Sequence, residues 1–310
     1  MASFTALPLI NLLNLLRQAE TFVQLQSYPL EPGILTELNG LRVPAHFDCE
    51  NFCNASQWDA ERPGTYACPW GTFRYYLFLP SRWHACHEQE AFARSRFPFV
   101  QPQLPLIDEE YFEHVAVYQS VLRAHGSFNT MELGARWGTW GARSIAFLRA
   151  KNPMPHRLFL VEPLRDHCLG ARKVLSLNGI EATLKCTKAD VELFLEMMEG
   201  VQHLDLLHID IQGAEGPLLA DPRVRQVMDR KVYRLIIGTH SDDLYQLVAE
   251  TFQAWITSSG LREVHATGMI ANMDGSFILD NPRFVNVSRA FYLNDMELRT
   301  DELLPHQVLA

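Results

Sequence analysis

From Ser127 onward, short apolar runs alternate with segments of helical spacing, and this alternation limits the possible fold more than any other feature of the 310 residues. Phe128 to Leu133 reads as a buried strand, followed by a helix to about Ala150. Strands are then expected at Leu158 to Val161, Ala182 to Cys186, Leu204 to Ile209 and Val232 to Ile237, with closing strands at Arg262 to Thr267 and Ser276 to Leu279. Between them lie helical patterns at Arg165 to Leu177, Val191 to Met198, from near Gly213, and at Leu244 to Ile256. Such alternation builds a mostly parallel, doubly wound sheet with helices on both faces. Sheets of this kind take ligands in the crevice beyond the carboxyl ends of their strands, and Glu132, Glu162, Asp190, Asp210 and His240 all fall at or just past those ends.

The first strand breaks in Met131-Glu132-Leu133-Gly134-Ala135-Arg136-Trp137-Gly138-Thr139-Trp140-Gly141. Glycine lets a backbone turn sharply out of a strand and lets a ligand approach the main chain, so Gly134, Gly138 and Gly141 mark a cofactor loop. The second strand ends in Glu162, about where nucleoside-binding folds place a carboxylate on ribose hydroxyls, roughly 20 residues past the last glycine. A dinucleotide fingerprint needs G-x-G-x-x-G; here the spacing is G-x-x-x-G-x-x-G and Arg136 stands where the second glycine belongs. That disfavours a pyrophosphate and suits a smaller nucleoside cofactor. Trp137 and Trp140 either shield that cofactor or pack the loop.

Net charge is −9, with 27 basic against 36 acidic residues, so the overall footprint of a nucleic-acid binder is missing. Leu7 to Leu16 is interrupted by Pro8, Asn11 and Asn14 and lacks a preceding basic residue; it reads as an amphipathic helix, neither signal peptide nor membrane span. Six cysteines make no disulfide framework and read as reduced thiols of a cytoplasmic protein. A small-molecule substrate is expected, without nucleic acid or membrane, and self-association into a homo-oligomer is left open.

Proline density over Phe97 to Pro105 separates two regions. Residues 1–105, dense in aromatics, are expected to form a cap, lid or packing domain, and residues 106–310 the cofactor-binding domain. Asp108-Glu109-Glu110 opens the latter with a helix whose apolar stripe is Tyr111, Val115, Tyr118 and Leu122. Cys49, Cys53, Cys68, His84, Cys86 and His87 lack the paired spacing of structural zinc and read as buried cysteines among aromatics.

Together these motifs resemble the class I S-adenosylmethionine-dependent methyltransferases. Leu207-His208-Ile209-Asp210-Ile211-Gln212-Gly213-Ala214-Glu215 narrows the resemblance to the FkbM family, whose run is Ile-Asp-hydrophobic-Glu-Gly-Ala-Glu; Gln212 replaces the first glutamate. It spans roughly Phe128 to Phe284 and implies a Rossmann-like methyltransferase fold with a seven-stranded sheet. It also implies that Glu132, Gly134, Ala135 and Gly138 face the methionine and ribose parts of S-adenosyl-L-methionine, and that Glu162 holds the ribose. Asp190 would meet the adenine amino group, Ala189 would line the ring, and Asp210 would sit beside the sulfonium.

Methyl transfer from a sulfonium needs an aligned acceptor and a destination for its proton. His240, an imidazole expected to titrate near neutrality, is the first choice of base, with Asp210 and His208 next; the acceptor is expected to be a hydroxyl oxygen. Each residue has a plainer reading: Glu132 as a cap of the turn, and Asp210 or the His240 segment as helix N-caps. A divalent metal among His208, Asp210, His240, Asp242 and Asp243 is an alternative that the spacing does not favour, so no metal ligand is assigned. Two other classes compete: an NAD(P)-dependent oxidoreductase on the same architecture, and a non-catalytic nucleoside-cofactor-binding module.

Overall fold

The computed structural model describes residues 26–31, 34–44, 99–100, 102, 111–257 and 275–284. The N-terminal helix, the cysteine and histidine cluster and the strand expected at 262–267 lie outside the described residues, as does most of the proposed cap. The strands are β1 (Tyr28–Pro29), β2 (Ile34–Thr36), β3 (Arg42–Pro44), β4 (Phe99–Val100), β5 (Phe128–Leu133), β6 (His156–Val161), β7 (Thr183–Lys185), β8 (Leu206–Ile209), β9 (Arg234–Thr239), β10 (Ile256–Thr257) and β11 (Gly275–Asp280). The helices are α1 (Tyr111–Arg123), α2 (Thr139–Lys151), α3 (Arg165–Leu177), α4 (Val191–Met198), α5 (Glu215–Ala220), α6 (Pro222–Lys231) and α7 (Asp242–Thr251).

Seven strands form one sheet in the order β10-β11-β9-β8-β5-β6-β7. β7, β6, β5, β8 and β9 pair in parallel, whereas β11 runs antiparallel to both β9 and β10. This is a doubly wound, mostly parallel sheet of the Rossmann-like type. The chain leaves β5 toward β6 and β7, then returns to β8 on the other side. β5 and β8 are therefore neighbours whose connections depart in opposite directions, the switch point at which such sheets open a crevice.

Because both faces are covered, the central strands are apolar almost throughout. Phe128, Leu158, Leu160, Leu206, Ile236 and Ile278 point to one face and pack with α1, α2 and α3. Met131, Leu133, Val161, Leu207, Ile209, Leu235 and Ile237 point to the other and pack with α4 to α7. Period-two alternation thus divides the core in two, each fully buried Leu or Phe adding about 2 kcal/mol.

Several boundaries differ from the sequence reading for local reasons. β8 begins at Leu206 because the Asp205 carboxylate accepts the Asn129 N–H at 2.8 Å, leaving Leu204 in a single bridge with Val232. The helix expected from Gly213 is two helices, since Asp221 caps α6 by accepting from Arg223 N and Pro222 occupies its first turn. α7 stops at Thr251; Phe252 and Trp255 bury their rings in a turn, 5.0 Å apart, before β10.

The described N-terminal segment packs on the sheet domain. Leu41 and Val43 are buried in the α1–α3 core. Arg143 of α2 grips the Glu37 carboxylate with two bonds of 2.6 and 2.8 Å, and the Asn178 amide exchanges hydrogen bonds with the Arg42 backbone beyond the end of α3. Cys168 of α3 and Cys186 beyond β7 are joined as a disulfide, Cα atoms 5.8 Å apart, which corrects the expectation of reduced thiols for this pair. They are 18 positions apart in the chain, and only the folding of α3 and β7 reveals the proximity. No helix among the described residues is long and apolar enough to cross a membrane.

Candidate active site

Five strand ends, β5, β6, β7, β8 and β9, carry the candidate residues. At the end of β5 the chain turns through Gly134 (φ 81°), Arg136 (φ 48°) and Gly138 (φ 69°), all left-handed. Gly134 and Ala135 donate their N–H groups to the Val161 carbonyl at 2.9 Å, pinning the loop to β6. A Cβ on Gly134 would lie 1.8 Å from the Asp210 carbonyl oxygen, and one on Gly138 2.8 Å from Leu160. These glycines are therefore already required by how the loop packs on β8 and β6, apart from any ligand. Arg136 takes the left-handed conformation without being glycine; its N–H donates to Glu162 Oε2 at 2.7 Å and its guanidinium lies over Trp137.

Glu132 points beneath this loop. Its Oε2 accepts from Gly141 N at 2.8 Å in the first turn of α2, so it braces the loop from inside, as the plainer reading had it. Burial pushes its carboxyl up to about 7, against the opposing pull of His208, the Gly141 N–H and Arg143. Glu162, buried at the end of β6, accepts from Arg136 N and from Leu164 N at 2.8 Å, with His167 Nδ1 3.5 Å away. One bond to each oxygen leaves a lone pair on each. Asp190 is exposed and caps α4 by accepting from Leu193 N at 2.8 Å, while Ala189 is half-buried against the α4–α7 core.

Asp210 and His240 do meet. Their strands β8 and β9 are adjacent, and His240 Nε2 lies 2.9 Å from Asp210 Oδ1. Glu215 joins them, its Oε1 3.4 Å from the same nitrogen. The loop between Asp210 and Glu215 turns through Gln212 (φ 55°) and Gly213 (φ 97°), so that Ile211 N and Gly213 N each donate to the Glu215 carboxylate at 2.8 Å. Gln212 donates its amide to Asp210 Oδ1 at 2.9 Å. Sequence reasoning quoted Glu215 in the motif but gave it no role; its position on the first turn of a helix five residues past Asp210 was the available signal.

This setting corrects the expectation that His240 titrates near neutrality. Bonds to Asp210 and Glu215 push it up to about 10, against the effect of burial, so the ring is an imidazolium at pH 7 and a poor proton acceptor. Asp210 is held below the usual carboxylate range: burial works to raise it, but His240, His208 and Gln212 together prevail.

His208 lies two residues before Asp210 on β8, on the face that packs with α1 and α2, level with Glu132 on β5. It stacks on Trp140, and its Nε2 lies 3.3 Å from Glu113 Oε2, whose other oxygen accepts from the Ser276 hydroxyl. Burial lowers its pKa, but Glu113, Glu132 and Asp210 outweigh that and raise it. It therefore does not share the Asp210–His240 cluster. Asp242 and Asp243 are exposed in the first turn of α7.

No family model and no curated protein sequence matches the chain. Among solved structures, a putative class I S-adenosylmethionine-dependent methyltransferase from Listeria monocytogenes is similar at 11% identity, covering 68% of this chain and 72% of that one, with a TM-score of 0.38. A putative O-methyltransferase from Klebsiella pneumoniae is similar at 16% identity over 57% of this chain and 83% of that one, TM-score 0.36. A SAM-dependent methyltransferase from Agrobacterium tumefaciens is similar at 14% identity over 50% and 53%, TM-score 0.37.

Proposed function

We propose that the chain is an S-adenosyl-L-methionine-dependent methyltransferase of the FkbM kind, acting on a hydroxyl oxygen of a small molecule. The observation that carries this reading is the convergence, at the β5–β8 switch point, of a pinned left-handed loop, the buried Glu162 carboxylate and the Asp210–Glu215–His240 cluster. A cationic sulfonium suits a crevice bordered by carboxylates. Glu162 fits a ribose, because each of its oxygens keeps a lone pair for a hydroxyl while the Arg136 and Leu164 amides hold it in place.

In this reading Gly134, Ala135 and Gly138 form the wall beside the cofactor, supported from beneath by Glu132. Asp190 and Ala189 border the adenine. The cofactor supplies an electrophilic methyl carbon. This chain's residues would orient the acceptor with its oxygen in line with that carbon. Asp210 is the more exposed member of the pair it forms with His240, and it receives the acceptor's proton as the carbon–oxygen bond forms. His240 positions that carboxylate and is not itself the base.

Retention of radiolabelled S-adenosylmethionine against radiolabelled NADH tests the reading. Binding of the former alone is expected. Binding of NADH alone establishes the oxidoreductase alternative. Retention of S-adenosylmethionine with no methyl transfer to any hydroxyl-bearing acceptor points instead to a non-catalytic binding module.

A further inference from the structure

We propose that Asp210, Glu215 and His240 form a binding site for one first-row divalent cation of the Mn2+ or Zn2+ type. The three residues come from the end of β8, the first turn of α5 and the segment after β9, and one ligand atom from each lies within 4.8 Å of the others. His240 Nε2 is 2.9 Å from Asp210 Oδ1 and 3.4 Å from Glu215 Oε1. Bonds of about 2.1 Å to a six-coordinate ion give polyhedron edges of about 3 Å. Two of the three edges are therefore near their bound lengths already, and the Asp210 side chain, 42% exposed, is placed to close the third.

Charge and space agree with this. Two carboxylates carry more negative charge than one imidazole can offset, whereas a divalent cation offsets both. Glu215 is fully buried and fixed by two backbone N–H groups, the orientation that a ligating carboxylate receives from its surroundings. Gly238, inside β9, contributes no side chain; a Cβ there would lie 3.3 Å from His240 Nε2 and 3.4 Å from Asp210 Oδ1. A glycine within a strand marks a place kept clear for close approach, and the cleared place adjoins the two ligand atoms. One nitrogen with two carboxylate oxygens favours first-row cations over calcium, and binding releases the Nε2 proton. The set differs from the one weighed on sequence: Glu215 enters, while His208, Asp242 and Asp243 stay out.

Mn2+ titrated into the metal-stripped full-length chain, with free Mn2+ followed by electron paramagnetic resonance, tests the site. One Mn2+ per chain is expected at micromolar concentration, displaced by Zn2+, and weakened at least tenfold in Asp210→Asn and in Glu215→Gln. Should Glu215→Gln fail to fold by circular dichroism, Asp210→Asn decides. Absence of saturable Mn2+ binding below millimolar, or unchanged binding in Asp210→Asn, overturns the proposal. The titration needs no nucleoside, so its failure leaves the cofactor reading standing, and the reverse holds as well.

Discussion

The two edges of the sheet are built on opposite electrostatic plans. At the amino-terminal edge, Arg234 is fully buried and bonds both oxygens of Asp280 at 2.7 and 2.9 Å, the Ala116 carbonyl and the Gln119 amide oxygen, each at 2.9 Å. Arg123 reaches the same carboxylate, and Asn281 bonds the Asp229 and Val232 carbonyls at the end of α6. At the carboxyl-terminal edge, Glu132 and Glu162 are held by backbone N–H groups and Asp210 and Glu215 share one imidazole. The first edge matches charge to charge and locks three elements together. The second gathers negative charge beyond what its cations offset, which stabilises little by itself and suits a cationic ligand.

The largest expected break in this contrast is Arg234→Met. Removing one partner of a buried pair leaves Asp280 charged and unmatched, and denaturant unfolding is expected to show a loss of about 3–5 kcal/mol. Burial works to raise the Asp280 carboxyl, and Arg234 with Arg123 holds it low, so the native state depends on those cations. Arg234→Met with Asp280→Leu together should recover most of the loss.

Asp210→Asn tests the other edge. Its side chain is partly exposed and its neighbours include Glu215, so the unfolding free energy should change by less than about 1 kcal/mol. The proposed methyl transfer, in contrast, should fall by about 100-fold or more in kcat, measured with saturating cofactor. Equal losses of stability at the two edges would remove the distinction between them.

Glu132 sharpens the comparison through pH. Its folded-state pKa of about 7 lies above the model-peptide value of 4.5, so the folded chain binds this proton more tightly than the unfolded one. That contribution favours folding below about pH 4.5 and is lost as pH rises toward and through 7. Glu132→Gln keeps an acceptor for Gly141 N, so its stability should fall less than the parent's between pH 5 and 8 in matched thermal melts.

How much of this was legible in the sequence follows the same division. Helices α3 and α4 have the bounds that the apolar spacing gave, because each buries one stripe on a sheet already implied by the alternation. The acids at the strand ends were legible as well, since strand ends are marked by where apolar runs stop. Their partners were not. Glu132 turns inward to α2, His240 lies between two carboxylates, and Cys168 meets Cys186, all through contacts between segments whose spacing in the chain has no period. Arg136 was legible as the residue that breaks the dinucleotide spacing but not as a left-handed one: its backbone adopts φ 48° while Glu162 accepts its N–H. The smallest expected effect follows from it, a gain of up to about 1 kcal/mol in thermal stability for Arg136→Gly, as the left-handed strain is relieved.

The central claim is that the crevice beyond β5, β6 and β8 holds an adenosine cofactor through Glu162. Calorimetric titration of S-adenosylhomocysteine into the full-length chain and into Glu162→Gln measures it directly. The account predicts one molecule bound per chain, with affinity at least tenfold weaker in the variant; no heat of binding to the parent chain, or equal affinity in both, would contradict it.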